Sequence, residues 1–365
     1  LGIVLSLVSS LQMFQQSLLS SLSSSGLDSV QLAFASASFP AGKVLSTGWL
    51  LLSSSPSDSS FFLFIAARLL IIGGFVALLP FLPALSLGRL FMGAGAGIGF
   101  VCAPLFISQS VPYPSRPANF FVLGASFALS TLMANVVAIL DLSITSITLF
   151  SSFFSIASGL LYLLFHPSTV PLSTPKLEEP PLECIPSSSP LALSNTLMLL
   201  NVSCGVPILL GFAPLIFQYL GLNSKLSIQL SIAFPAVQIV LLSLLHFRPS
   251  TFSRKTLVLG GYAVSVFVLF VISLTAHYPY LPSTARSVIL STWVFVLAIV
   301  TSVPCNTALC LIAEQFPSGS ETQMSGVSAS RTLMWLLSAL STTTFLPMMY
   351  SWGIALTFLP YAVFS

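Results

Sequence analysis

Charge is the first thing this sequence lacks. Of its 365 residues, 11 are Lys or Arg and 8 are Asp or Glu, so charged residues make up only 5%, against about 25% in an average soluble domain. So few charges cannot cover a water-facing surface, which excludes an ordinary soluble globular protein. The basic residues behind the net charge of +3 are scattered singly or in pairs, so no stripe for nucleic acid exists. Histidine is also scarce. His166, His246 and His277 fall near the ends of apolar segments, far apart in sequence, which leaves no catalytic or metal constellation. The five cysteines are an odd number, and all but Cys184 lie inside apolar segments without CxxC spacing. They imply neither a disulfide framework nor a zinc site. No activated nucleophile, acid–base pair or nucleotide loop is visible, so neither enzyme chemistry nor a cofactor is expected.

What remains is apolar. Hydrophobic residues make up 55% of the chain and the mean hydropathy is +1.01. A bilayer core needs about 20 apolar residues per helix, and polar punctuation divides the chain into eleven such segments and part of a twelfth: 1–21, 30–52, 61–82, 87–110, 118–140, 144–165, 191–220, 225–246, 256–276, 286–314, 323–348 and a start at 353. Leu1 reads as part of the first helix of a fragment, not of a cleaved signal peptide, and the twelfth helix as truncated. The longest polar interruption, 167–190, is rich in Pro and Ser and carries Lys176, Glu178, Glu179 and Glu183. It reads as a linker between a six-helix half at 1–166 and a second half at 191–365.

Two stretches 205 positions apart support related halves: Ile107-Ser-Gln109-Ser-Val-Pro112 and Ile312-Ala-Glu314-Gln-Phe-Pro317, with Arg116 and Glu321 at the same offset beyond them. In a membrane protein, paired repeats point to a transporter that rocks one against the other. If residue 1 lies at the cytoplasmic end, Arg116, Lys176, Arg248, Arg254 and Lys255 fall inside, against Lys225 and Arg286 outside. The positive-inside rule favours that orientation, with a cytoplasmic linker. Lys43 and Arg68 fall within spans, where a cation must snorkel or face an aqueous cavity; Lys43 in a cavity would suit an anionic substrate. The first segment has no Asp, Glu or His.

The fourth segment carries the strongest motif: Gly88-Arg89, then Gly93, Gly95, Gly97 and Gly99, then Pro104, Phe106, Gln109, Pro112 and Arg116. A dinucleotide-binding reading fails at Ile98, where glycine is required. The four glycines make two GxxxG faces for close helix packing. The run resembles the sugar-porter signature of the major facilitator superfamily, with Phe106, Gln109 and Pro117 replacing its Tyr, Glu and Gly. Further likenesses to facilitative glucose transporters follow in order: Ser10 to Gln16, Cys204-Gly205 with Pro214 to Phe217, Arg254-Lys255, and Met334-Trp335 with Phe345.

The resemblance implies an all-α major facilitator fold in the membrane, plausibly the plasma membrane, and facilitative uniport of a hexose-like small molecule. It places Asn201, Gln238, Trp335 and Gln16 near the substrate. Elsewhere in that frame the family's sugar-binding residues are lost, falling on Gly124, Val202, Pro207, Leu309 and Met334. A less polar solute, or a transport-silent receptor or scaffold, are the alternatives. Asn201 and Gln238 also fit helix-to-helix hydrogen bonding, and Trp335 and Asn135 fit packing. The absence of a titratable group in the first segment implies uniport over proton symport. The family's cytoplasmic charge latch keeps Arg116 and Glu314, with Arg254 and Lys255 nearby. It has Gln109 in place of Glu and Glu321 in place of Arg, so one latch is retained, one is lost, and the gate is expected to open more easily.

Overall fold

The computed structural model describes residues 14–15, 29–53, 59–79, 81–112, 115–140, 143–164, 189–247, 253–278, 280, 282–316 and 320–364. All regular structure among them is helical: α1 Ser29–Leu52, α2 Ser59–Ala77, α3 Leu82–Ser110, α4 Arg116–Ile139, α5 Ile144–Leu164, α6 Pro190–Ser203, α7 Val206–Tyr219, α8 Ser224–Phe247, α9 Arg254–His277, α10 Ser283–Val300, α11 Ser302–Glu314 and α12 Glu321–Phe364. Nine stretches of the described chain are long and apolar enough to cross a membrane. Their outward faces carry bare Phe153, Leu164, Leu244 and Phe247, side chains that only lipid covers without cost. The first predicted segment and nearly all of 167–190 lie outside the described residues.

The helices follow the predicted segments closely, with three breaks that the apolar runs conceal. The segment predicted at 191–220 is two helices, α6 and α7, meeting at Cys204 and Gly205, where Gly205 takes φ +78°. Pro207 follows, and its ring nitrogen cannot donate back to the preceding turn. The segment predicted at 286–314 divides at Thr301 into α10 and α11, again just ahead of a proline, Pro304. The Thr301 hydroxyl donates to Leu297 O at 2.9 Å, the carbonyl that its own N–H also reaches, a second bond of the kind that bends a helix. The third break is inside α12, where Gly353 adopts φ 76° and ψ 168° and separates the eleventh predicted segment from the twelfth.

Helix starts are capped where the chain turns back. Ser189 accepts the Ala192 N–H at 3.1 Å, Asn223 accepts the Leu226 N–H at 2.7 Å and Ser253 accepts the Thr256 N–H at 3.1 Å, each worth about 1 kcal/mol.

α3 is the most enclosed helix, and its glycines allow this. A Cβ on Gly93 would strike the Phe39 carbonyl of α1, and one on Gly97 the Ser46 hydroxyl of the same helix. Gly95 faces the other way, where a Cβ would sit 2.8 Å from Ala66 O of α2. The two GxxxG faces thus serve two different neighbours; Gly99 is buried on the same helix. Arg89 is buried at the α1 side of α3, donating to Ala35 O at 2.7 Å and to the Gln15 side chain at 3.1 Å.

Helices from either side of 167–190 meet along two antiparallel contacts. α4 touches α8 at both ends: Asn135 Nδ2 donates to Ser231 O at 2.5 Å, and His246 Nδ1 lies 2.9 Å from Ala118 O. α1 meets α12 where the Thr332 hydroxyl donates to Thr47 Oγ1 at 3.0 Å.

Candidate functional site

Between these contacts lies a cavity of about 90 Å³. α4 supplies Gly124, Phe127, Ala128 and Thr131, and α3 supplies Phe100. Opposite them stand Asn201, Gln238, Leu242, Leu309 and the stretch from Thr301 to Asn306. Both early breaks adjoin it: Val206 and Leu210 follow the first, and Thr301 and Ser302 form the second. Interrupted helices at mid-membrane expose backbone carbonyls and amides to a solute that continuous helices would hide.

The lining is apolar with a few amides, the usual composition of a small-molecule site. Gln238 donates from Nε2 to Ala298 O, tying α8 to the last turn of α10 before its break. Its Oε1 is left to accept. Asn201 reaches the cavity from the end of α6, one turn before Gly205. The sequence reading missed Asn306, whose Nδ2 donates to Ser302 O at 2.7 Å. Gly124 is small where the family resemblance expects Gln, and a Cβ there would collide with the Asn306 side chain. An amide therefore occupies this part of the cavity from the opposite wall. The signal in the sequence was Asn itself, the only strongly polar residue in Val303–Cys310 apart from Thr307.

Trp335 is placed differently. It does not line the cavity but lies behind Phe100, ring centres 5.2 Å apart, with the Lys43 ammonium 3.9 Å from the centre of the Trp335 ring. Lys43 neither snorkels nor lines the cavity; it is 1% exposed, held also over Phe39 at 4.5 Å. Arg68 is exposed along α2 with its guanidinium 4.1 Å from the Phe64 ring. Gln16 lies outside the described residues.

The predicted latch residues gather at one end of the cavity. Glu314 closes α11, and Arg254, the first residue of α9, donates to its Oε2. Arg116, at the start of α4, approaches Oε1 at 3.8 Å and donates from Nε to Val111 O at 2.9 Å. Both arginines begin helices, where the dipole disfavours a cation, and Glu314 offsets that cost. Gln109, at the end of α3, is also engaged. It donates to Gln323 Oε1 at 3.1 Å and accepts from the Ser59 hydroxyl at 2.7 Å. Gln323 in turn donates to Ala313 O at 2.7 Å. The position without a carboxylate thus carries an uncharged bridge between α3 and α12. Lys255 is exposed on α9. Glu321 begins α12, and its side chain lies outside the described residues.

Solved structures share this architecture over the whole chain. The proton:xylose symporter XylE bound to 6-bromo-6-deoxy-D-glucose superposes with a TM-score of 0.76 at 14% identity, covering 100% of this chain and 92% of that one. The human organic anion transporter MFSD10 gives 0.71 at 13% identity, covering 100% and 96%. The inward-open conformation of XylE from E. coli gives 0.65 at 18% identity, covering 100% and 92%. No curated protein sequence matches the chain. The family model described as sugar (and other) transporter matches residues 183–365, half of the chain. That match covers α6 to α12, which supply Asn201, Gln238, Asn306 and Glu314, and the chain belongs to the sugar (and other) transporter family.

Proposed function

We propose that the protein is a facilitative uniporter for a hexose or a related small solute, working by alternating access. The observation that carries this reading is the cavity bounded by helices from both sides of 167–190 and lined by the amides of Asn201, Gln238 and Asn306 beside two helix breaks. In this reading 1–166 and 191–365 are two six-helix halves that rock about the cavity, joined by a cytoplasmic linker, in the plasma membrane. The amides exchange for the solute's water shell, each net hydrogen bond contributing about 0.5–1.5 kcal/mol. No Asp, Glu or His is among the described residues that line the cavity, and none occurs in the first segment, which favours uniport over proton coupling.

The test is uptake of labelled glucose and fructose in transporter-deficient cells, with and without a proton gradient. Saturable uptake that ignores the gradient and falls about tenfold in Gln238→Ala supports the reading. Gradient-driven uptake would replace uniport with symport. A surface-expressed protein that moves no solute would favour a transport-silent role.

A further inference from the structure

Three buried nitrogen donors on one face of α12 have no acceptor. Arg331 is wholly enclosed, 0% exposed. Its Nη1 meets only thioether sulfur, Met198 Sδ at 2.7 Å and Met334 Sδ at 3.9 Å, while Nε and Nη2 have no partner. One turn further along α12, the indole Nε1 of Trp335 is also unpartnered. Thioether sulfur is a weak acceptor, and arginine keeps its charge when buried. Glu314, the carboxylate that the described structure places among arginines, is taken by Arg254 and Arg116. The unpartnered Asn195 oxygen on α6 is neutral and does not balance the charge.

This donor cluster lies directly behind a wall of the central cavity. The guanidinium carbon is 4.6 Å from the centre of the Phe100 ring, and Phe100 lines the cavity. Met198, the nearer of the two thioethers against Arg331, stands one turn before Asn201, which also lines it. Lys43 over Trp335 adds positive charge to the same wall.

We propose that Arg331 and Trp335 Nε1 form the anion-recognising end of the central site, and that the solute is a sugar-sized carboxylate such as a sugar acid. The inference rests on the reading of the cavity as a solute site. A planar guanidinium fork matches a carboxylate, and the cavity amides take the hydroxyls. Phe100 must swing aside and Met198, an unbranched thioether, adapt around the bound solute; a cavity of 90 Å³ is well below the roughly 300 Å³ of ordinary ligand sites.

The experiment reconstitutes the chain in liposomes and measures uptake of labelled gluconate and labelled glucose, with tryptophan fluorescence reporting binding of each. Wild type, Arg331→Met and Arg331→Lys are compared, and thermal melting checks that each is folded. Gluconate is expected to be bound and carried in preference to glucose. Arg331→Met should lower gluconate uptake at least tenfold relative to glucose uptake, with partial retention in Arg331→Lys. Equal handling of the two solutes by wild type, or a parallel loss of both in either variant, overturns the anion site and leaves the transport reading standing. If wild type neither binds nor carries either solute, both readings fall. Should Arg331→Met not fold, the wild-type preference and Arg331→Lys decide.

Discussion

Gly124 and Asn306 show how single residues divide the cavity between its walls. The Asn306 amide fills the space in which a Cβ at 124 would have to sit. Gly124→Ala is therefore expected to displace Asn306 and lower uptake several-fold, and the Gly124→Ala, Asn306→Ala pair to lose less than the two single losses combined. A double-mutant cycle on uptake rates should give a coupling of about 0.5–3 kcal/mol. At the latch, Glu314→Gln leaves Arg254 and Arg116 without their carboxylate. The expected loss is about 1–3 kcal/mol, read as a lower melting temperature in detergent; Lys255→Gln, at an exposed site, should change it by less than about 0.5 kcal/mol. The pairing of Arg116 with Glu314 was expected from the family resemblance, which sets a charged latch at these positions; the repeat by itself matches Arg116 to Glu321 and Glu314 to Gln109. Asn306 was not, because nothing in an apolar run says which polar side chain a distant glycine makes room for.

Among elements, apolar length and spacing carried most of the information. The segment boundaries and the GxxxG faces of α3 followed from hydropathy and spacing alone. The breaks between α6 and α7 and between α10 and α11 did not, because proline inside an apolar helix can also be absorbed as a bend, as at Pro104 in α3 and Pro235 in α8. What decides at the first break is Gly205. A Cβ there would meet nothing within 4 Å, but φ is +78°, so Gly205→Ala incurs a backbone cost of about 1–2 kcal/mol without any steric collision. Gly211, in the middle of α7, also faces open space, with helical backbone. Gly211→Ala should leave stability unchanged or raise it by about 1 kcal/mol, and thermal melting of the two variants side by side separates the backbone cost from packing.

For the molecule as a whole, the question is which end is closed. Gln109 with Gln323, and Arg116 with Glu314, join helices from the two sides of 167–190 at one end of the cavity. The lost carboxylate at 109 implied a weaker latch; the amide bridge supplies a substitute, though without charge. The paired change Gln109→Glu with Glu321→Arg is expected to hold this end shut more firmly. Labelling of a cysteine introduced beside Ser110 should then slow several-fold against the parent background, whereas unchanged labelling would show that the amide bridge already suffices.

Three other hydrogen bonds across that boundary join uncharged groups: hydroxyl to hydroxyl at Thr332 and Thr47, amide to carbonyl at Asn135, imidazole to carbonyl at His246. Salt screens separated charges over a Debye length of about 8 Å at physiological ionic strength, but short dipolar bonds are largely indifferent to it. Among the described residues one long ion pair, Arg116 with Glu314, spans the boundary, so the proposed balance between open and closed forms is expected to respond little to dissolved electrolytes, and uptake to hold steady through swings in potassium or osmolarity.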